Sequence, residues 1–220
     1  MDNVLPFLTV RANCGTGFIA DLSGRPSNWL LRDALTTVNR LAHRGATAAD
    51  GKSGDGAGIL TQIPHALIAR ELERHGLAAP GPGDLAVGML FLPVDPAPRE
   101  RAKKIVASAL AMRGLSVLAW REVPVDLDAL GDHARSIRPH IEQVLIARPR
   151  YIAEGDAFER ALVLARKEIE RTARHPLEQS AAPSSDGAVP LYIASLSART
   201  IVYKGLFVSP QLPRFYLDLS

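Results

Sequence analysis

Cysteine is almost absent from this sequence, since its 220 residues contain a single one, Cys14. One thiol cannot form an internal disulfide, complete a zinc tetrad or hold an iron–sulfur cluster. We therefore expect a chain that works in a reducing compartment, binds no metal and carries no cofactor of its own. Cys14 is then either an inert, packed side chain or a reactive thiol.

Aromatic residues are also scarce, at 5% of the chain, and neither sign of charge dominates, with 26 Lys and Arg against 23 Asp and Glu. The basic residues lie mostly beside acidic ones at helical spacing, and few rings are present on which bases stack. This pattern argues against nucleic acid as a partner.

Long hydrophobic runs are missing as well, so that no segment has the length and apolarity of a membrane span. The opening segment, residues 1–13, lacks a basic start and is interrupted by Pro6, which is not the pattern of a secretory signal. We expect a cytoplasmic protein without a membrane partner.

Apolar residues, which make up 47% of the chain, recur with the spacing of strands and helices. In the first part we predict a buried strand at Gly15–Asp21, a sheet-facing helix from an N-cap at Ser27 to His43, a strand at Ile59–Ile63 and a helix at Pro64–His75. Further on we predict strand Leu85–Leu92, helix Arg99–Arg113, strands Leu115–Val123 and Ile141–Ala147, helix Ala157–Arg174 and strand Leu191–Ser197. Two β-α-β units in succession favour a ferredoxin-like arrangement.

Two more strands are predicted near the end of the chain. Thr200–Phe207 is expected to form a hairpin with the strand before it, and Phe215–Leu219 has the pattern of the start of another strand. The segment Gly54–Gly58 is so rich in glycine that it predicts a tight turn with close backbone packing. Asp55 has no carboxylate or histidine paired with it nearby, so by itself it predicts neither a metal site nor a catalytic acid.

Three motifs near Cys14 carry a resemblance to a known family: Cys14-Gly15-Thr16-Gly17-Phe18-Ile19-Ala20, Leu41-Ala42-His43-Arg44-Gly45-Ala46 and Asp50-Gly51-Lys52-Ser53-Gly54-Asp55-Gly56-Ala57-Gly58-Ile59. Later segments occur in the family's order, including Trp120-Arg121-Glu122-Val123-Pro124 and Ser195-Leu196-Ser197-Ala198-Arg199-Thr200. Together they resemble the class II glutamine amidotransferases, and within them the glutaminase domain of the glutamate synthase large subunit. The resemblance extends from Cys14 to Leu219.

This resemblance implies an α/β (α+β) fold, the four-layer α/β/β/α sandwich of the N-terminal nucleophile type, with the ferredoxin-like β-α-β insertion. It also implies that residues 1–13 are a removable leader, so that Cys14 becomes the first residue. A free α-amine with a pKa of about 7.7–8.0 is then a suitable base for a thiol with a pKa of about 8.5. The thiolate would attack L-glutamine, release ammonia for transfer to 2-oxoglutarate, and leave a glutamyl thioester for water to hydrolyse.

The resemblance implies roles for three further residues. Gly15 and Gly17 would keep the backbone bare near the substrate, and Arg44 matches an arginine close to the catalytic site in the family. The alternative interpretation of Arg44 is a donor that fixes the loop. The expected partners are downstream synthase domains or a companion chain, and FMN and an iron–sulfur cluster are expected there in the full-length family.

The sequence departs from the family at its C-terminal end. In the family the sheet continues with an arginine for the glutamine carboxylate, an Asn-Gly pair for the oxyanion and an acidic residue for the substrate amine. Here the four asparagines precede Val4, Cys14, Trp29 and Arg40, so there is no Asn-Gly pair. We therefore expect residues 14–220 to be the N-terminal part of the domain, incomplete at its C-terminus and inactive or incomplete as a catalyst alone.

Two other hypotheses stay open. The chain is alternatively a truncated, non-catalytic remnant that binds a partner or merely folds, with Phe215–Leu219 exposing a sheet edge. A third hypothesis is an unrelated hydrolase with Cys14 as nucleophile and His43 or His65 as its base.

Overall fold

A computed structural model describes residues 15–25, 27–180 and 191–220, and for residues 175–180 it describes the backbone only. The predicted leader, residues 1–13, and Cys14 lie outside the described residues.

In the described part the helices are α1 (Asn28–Arg40), α2 (His65–Arg74), α3 (Pro96–Ala111), α4 (Asp132–Ser136), α5 (Asp156–Ser180) and α6 (Leu212–Phe215). The strands are β1 (Ala57–Gln62), β2 (Leu85–Leu92), β3 (Ser116–Glu122), β4 (His140–Ala147), β5 (Tyr192–Ser197) and β6 (Thr200–Gly205). Within these ranges, no helix is long and apolar enough to cross a membrane.

The larger sheet has four antiparallel strands in the order β3-β4-β2-β5. Its strands and helices lie close to their predicted positions. Helix α3 begins earlier than predicted because the Asp95 carboxylate accepts a hydrogen bond from the Ala97 N–H, 3.3 Å away, and so caps the first turn. Helices α3 and α5 pack against each other and against one face of this sheet, and their core includes Val106, Leu110, Phe158, Leu162 and Ile169.

Strand β2 is buried on both faces of the sheet. Its eight residues are apolar throughout or glycine, so that alternate side chains enter two different clusters. Ala86, Leu90 and Leu92 belong to the core under α3 and α5. Val87 and Met89 belong to a second core, which also includes Leu35, Ile68, Leu72, Ile201, Tyr203, Phe207, Phe215 and Tyr216. The two cores therefore share one central strand.

The smaller sheet consists of β1 and β6, which pair in antiparallel fashion from Ala57 opposite Gly205 to Gln62 opposite Thr200. Helix α1 contacts β1, so the prediction that this helix lies on a sheet is confirmed. The predicted hairpin between Thr200–Phe207 and the preceding strand is wrong, because β5 pairs with β2 instead.

The chain changes sheets within two residues, Ala198 and Arg199. The Ser197 hydroxyl oxygen accepts hydrogen bonds from the N–H groups of Arg199 (2.9 Å) and Thr200 (3.2 Å). The Glu159 carboxylate of α5 accepts from the Ser197 hydroxyl (2.9 Å) and the Ala198 N–H (2.7 Å). These bonds turn the backbone away from β5, which explains why no hairpin forms.

The strand predicted at Gly15–Asp21 is also wrong. Residues 15–21 form no regular secondary structure, and the Phe18 side chain is 94% exposed. A short apolar run becomes a strand only where a neighbouring strand takes its backbone hydrogen bonds. In the described part of the chain β1 pairs with β6 alone, so residues 15–21 have no partner strand there. Ser27 does stand at the N-cap of α1, but its side chain makes no capping hydrogen bond.

The strand predicted at Phe215–Leu219 is wrong as well, and so is its exposed sheet edge. The chain there forms α6 and a 3-10 turn, Leu217–Leu219, in which Phe215, Tyr216 and Leu219 are buried. The Tyr216 ring meets the Tyr203 ring edge-on with centroids 5.1 Å apart, and its hydroxyl donates to the Lys204 carbonyl at 2.8 Å. Aromatic packing against β6 therefore holds this segment as turns.

Candidate active site

Gly15, the residue after Cys14, lies directly against the turn at the end of α1. A Cβ atom added at Gly15 would lie 3.3 Å from Leu41 Cβ and 3.4 Å from Arg44 Cγ. Only glycine therefore fits here without moving its neighbours. Of the predicted site residues, the structure brings Gly15 and Arg44 together.

Gly17 has a looser environment. A Cβ atom added there would meet the Thr37 methyl group at 3.9 Å, which is an ordinary van der Waals contact. Packing within the described residues thus explains Gly15 but does not require glycine at position 17.

The turn that carries Arg44 is a short 3-10 helix, Ala42–Arg44, built onto the end of α1. The Arg44 N–H donates to the Leu41 carbonyl at 2.8 Å, and the Gly45 N–H donates to the Ala42 carbonyl at 3.2 Å. Leu35 is the buried residue of α1 and anchors this helix in the core, which sets the position of the turn. The Arg44 side chain thereby reaches the segment that leads back to Cys14.

The loop after this turn folds back on itself just before β1. Thr47 and Gly54 form an antiparallel bridge, and the Asp55 N–H donates to the Ala46 carbonyl at 3.2 Å. The Asp55 carboxylate accepts from the Ala46 N–H at 2.9 Å. A Cβ atom at Gly54 would lie 2.9 Å from the Ala46 carbonyl oxygen, so the predicted close backbone packing is confirmed.

A second carboxylate, that of Asp50, organises the tip of the same loop. It accepts hydrogen bonds from the Ser53 hydroxyl (2.5 Å) and from the N–H groups of Ser53 (2.7 Å) and Lys52 (3.0 Å). These bonds favour the charged form and lower the pKa of Asp50 to about 2. The buried Ser53 hydroxyl also accepts from the Ala134 N–H at 3.2 Å, which ties the loop to α4.

A cavity of about 600 Å³ adjoins the loop where it enters β1. Most of its lining is apolar or aromatic, including Phe91, Tyr192, Phe207 and Phe215. Asp55 borders this cavity and also a smaller one of about 240 Å³ that Thr47, Ser53 and His133 line. The larger volume lies within the range of small-molecule sites.

The sequence matches the family described as glutamine amidotransferases class-II over residues 14–220, which is nearly all of the chain. The chain belongs to this family. The match begins at Cys14, the residue that precedes the contact between Gly15 and Arg44.

Several known glutamate synthases resemble this amidotransferase chain. Ferredoxin-dependent glutamate synthase 2 of Synechocystis is 43% identical over 210 residues, and the chloroplastic ferredoxin-dependent enzyme of Oryza sativa is 41% identical over 213. The large chain of the NADPH glutamate synthase of Azospirillum brasilense is 35% identical over 207 residues. These alignments cover 96%, 97% and 94% of this chain but only 12%, 13% and 13% of the relatives. The amidotransferase chain therefore spans about an eighth of the length of these relatives.

The two candidate histidines occupy different places in the amidotransferase fold. His43 lies in the 3-10 turn beside Gly15, where its Nδ1 atom is 2.8 Å from the Arg40 carbonyl oxygen. His65 begins α2, and burial lowers its pKa, which favours the neutral imidazole. Among the described residues, no group of three or more His, Cys, Asp or Glu side chains is placed to hold a metal ion.

Sequence reasoning misses the role of Asp55 in fixing the loop. The aspartate and its partner Ala46 are nine residues apart, and the family pattern alone does not reveal which backbone group the carboxylate meets. The one available signal is the glycine-rich context, which indicates that the chain passes close to itself.

Proposed function

We propose that this chain is the glutaminase part of a glutamate synthase, which hydrolyses L-glutamine to glutamate and ammonia for transfer to 2-oxoglutarate. The observation that carries the proposal is the family match, which starts at Cys14 and continues to residue 220. The likeness to glutamate synthases with different named electron donors, ferredoxin and NADPH, supports the assignment to the part that such enzymes share.

In the proposed mechanism the leader, residues 1–13, is removed and Cys14 gains a free α-amine. This amine takes the thiol proton, and the thiolate attacks the side-chain amide carbon of glutamine. The tetrahedral intermediate collapses with transfer of a proton to nitrogen, ammonia leaves, and a glutamyl thioester forms on Cys14. Water then attacks the thioester, which releases glutamate and restores the thiol.

Gly15, Gly17 and Arg44 are proposed to shape the substrate side of this site. The close approach of Gly15 to Arg44 supports a position for Arg44 near the nucleophile. The sequence supplies no Asn-Gly pair, so we expect turnover by this chain to be slower by about two to three orders of magnitude than with such an oxyanion donor.

We further propose that the chain forms part of the four-layer sandwich typical of N-terminal nucleophile enzymes. The strand order β3-β4-β2-β5, with α3 and α5 on one face, supports the ferredoxin-like description of its central part.

FMN and an iron–sulfur cluster are assigned to other regions of a full-length synthase or to a companion chain. The donor set of this chain does not fit a cluster, because its only cysteine is Cys14. A cytoplasmic location fits a catalytic cysteine that must stay reduced.

The decisive experiment measures glutamine-dependent ammonia release by the purified chain, with intact mass recorded on the same sample. A parallel sample receives 6-diazo-5-oxo-L-norleucine, a glutamine mimic that alkylates an active-site nucleophile with loss of N₂. We expect a chain that starts at Cys14, one adduct on Cys14, slow ammonia release, and loss of both activities in Cys14→Ala. A folded chain that starts at Cys14 but neither releases ammonia nor forms the adduct would contradict catalysis by this chain alone, while its family assignment would stand.

Variants His43→Ala and His65→Ala separate the proposal from that of a histidine-assisted hydrolase. Because the α-amine of Cys14 is the proposed base, both variants should keep the adduct and the ammonia release. Abolition of both readouts in either folded variant would favour the histidine as base instead.

A further inference from the structure

Asp55 joins the loop to the small sheet, since it stands two residues before Ala57, where β1 begins. It holds one residue, Ala46, by two hydrogen bonds. Its carboxylate Oδ2 accepts from the Ala46 N–H at 2.9 Å, and its own N–H donates to the Ala46 carbonyl at 3.2 Å. Two bonds to one residue fix both the position and the direction of the backbone there.

Ala46 is separated from Arg44 by Gly45 alone, so a shift of Ala46 moves the turn that carries Arg44. That turn packs on Gly15, with Leu41 Cβ and Arg44 Cγ within 3.3 and 3.4 Å of a Cβ atom added there. Gly15 is bonded to Cys14. A short, continuous path therefore runs from the Asp55 carboxylate to Gly15, the residue that follows the proposed nucleophile in the sequence.

The other side of Asp55 is fixed by the small sheet and by the segment after β6. Ala57 pairs with Gly205 at the beginning of the β1–β6 ladder. The Val208 N–H donates to the Lys52 carbonyl at 3.2 Å, which ties the loop to the chain beyond β6. The small sheet thus fixes the position of Asp55, and the two hydrogen bonds of Asp55 to Ala46 hold the turn in place relative to that sheet.

We propose that Asp55 is a positioning residue for glutamine hydrolysis: it holds Ala46 so that Leu41 and Arg44 keep Gly15, and with it Cys14, in place. This inference rests on the proposed function. Removing the carboxylate leaves the Ala46 N–H to water and frees the turn to move relative to β1. A displaced nucleophile still reacts with small reagents but no longer meets a bound glutamine in line.

The test compares two alkylation rates in the same chain. Iodoacetamide measures the intrinsic reactivity of Cys14, which is the only cysteine, whereas 6-diazo-5-oxo-L-norleucine measures reaction from a glutamine-like position. The chains are the unmodified protein, Asp55→Ala, Asp55→Asn and the control Asp95→Ala. Asp95 also accepts a hydrogen bond from a backbone N–H, but at the start of α3. Melting temperature, kcat and KM for glutamine are measured alongside.

We expect Asp55→Ala to lower kcat and the ratio of the glutamine-mimic rate to the iodoacetamide rate by about tenfold, with KM within about threefold of the unmodified value. Asp55→Asn keeps an oxygen that can accept from the Ala46 N–H, and should stay within about threefold in all readouts. Asp95→Ala should change stability only. This combination separates positioning from a general loss of stability.

The proposal is overturned if Asp55→Ala keeps the alkylation ratio and kcat of the unmodified chain. It is also overturned if either Asp55→Asn or Asp95→Ala lowers the alkylation ratio and kcat as much as Asp55→Ala does. Should Asp55→Ala fail to fold, Gly54→Ala displaces the same turn, because its Cβ atom would lie 2.9 Å from the Ala46 carbonyl oxygen. An unchanged ratio in folded Gly54→Ala also overturns the proposal. If the unmodified chain itself, starting at Cys14, neither turns over nor labels, the proposed function fails and the role of Asp55 fails with it.

Discussion

At the scale of single residues, the most consequential side chains outside the site are Arg121 and Asp218. The guanidinium of Arg121 donates to both carboxylate oxygens of Asp218, at 2.8 and 2.7 Å, and both side chains are buried. The Tyr203 hydroxyl donates to the same carboxylate at 3.2 Å, and burial raises the pKa of Tyr203, which keeps this donor protonated. The sequence does not reveal the pair, because 97 residues separate its members.

We expect Asp218→Ala to lower the free energy of unfolding by about 1–3 kcal/mol, because it removes both hydrogen bonds from Arg121 to the Asp218 carboxylate. The buried Arg121 guanidinium then keeps only Gln143, at 3.1 Å, and the Glu71 carboxylate, at 3.6 Å, within reach among the described residues. Urea titration of the two chains measures the difference.

The matched control is Asp128→Ala, whose partner Arg135 lies 2.9 Å away but whose own side chain is 91% exposed. Solvent screens that pair, so the control should unfold at nearly the unmodified midpoint. Equal losses in the two variants would contradict the argument from burial.

At the scale of secondary-structure elements, the accuracy of sequence-based prediction depends on where the stabilising contacts come from. The sequence predicts β2 with its true bounds, Leu85–Leu92, because every position is apolar or glycine and the run ends at Pro93. It locates β6 correctly but assigns the wrong partner, since pairing depends on the Glu159 and Ser197 bonds that turn the chain between sheets. It misses the C-terminal turns because aromatic packing against distant residues overrides the local strand pattern.

In the candidate site, too, some features follow from the sequence and others depend on contacts that the sequence does not reveal. The structure brings Gly15 and Arg44 together, whereas the closeness of Arg44 to the nucleophile stays a prediction from the family motifs. The hydrogen bonds of Asp55 and Asp50 could not be predicted, because they depend on how a loop of irregular backbone folds over itself and onto α4. Such loops have no periodic pattern that a sequence displays.

The centre of the larger sheet is expected to be intolerant of even one added methyl group. In Gly88→Ala the new Cβ atom would lie 2.6 Å from Val144 Cγ1 and 3.0 Å from Leu196 Cδ1, on the two neighbouring strands. We expect a loss of about 1–3 kcal/mol in the free energy of unfolding from overpacking. The control is Gly81→Ala in the exposed connection between α2 and β2, where nothing lies within 4 Å of the added atom. Thermal or urea unfolding should leave the control nearly unchanged, and a stable Gly88→Ala would show that β2 can shift.

At the scale of the whole molecule, the shared strand β2 makes the two cores interdependent. Leu90 packs under α3 and α5, whereas Met89 next to it packs with α2, β6 and the C-terminal turns. Loss of either core exposes one face of the same strand. The described parts of the chain should therefore unfold together.

The two tryptophans allow this cooperativity to be measured, because Trp29 lies on α1 and Trp120 on β3. Trp120→Phe leaves Trp29 as the reporter, and Trp29→Phe leaves Trp120. We expect Leu162→Ala, in the core under α5, to cost about 2–5 kcal/mol and to lower the urea midpoint equally for both reporters. A Trp29 signal that keeps its midpoint while the Trp120 signal shifts would mean that the two cores unfold separately.

The two-residue link at Ala198 and Arg199 also determines where the molecule tolerates being cut. A break there would release β5 and β6 from each other and detach the Glu159 carboxylate from the Ala198 N–H. A cut that makes two complementing halves, or the new termini of a circular permutant, should instead be placed in the exposed connection around Gly81. A cut there leaves every strand pairing of both sheets intact. The shortest connection between the sheets is thus the one that circular permutation should leave alone.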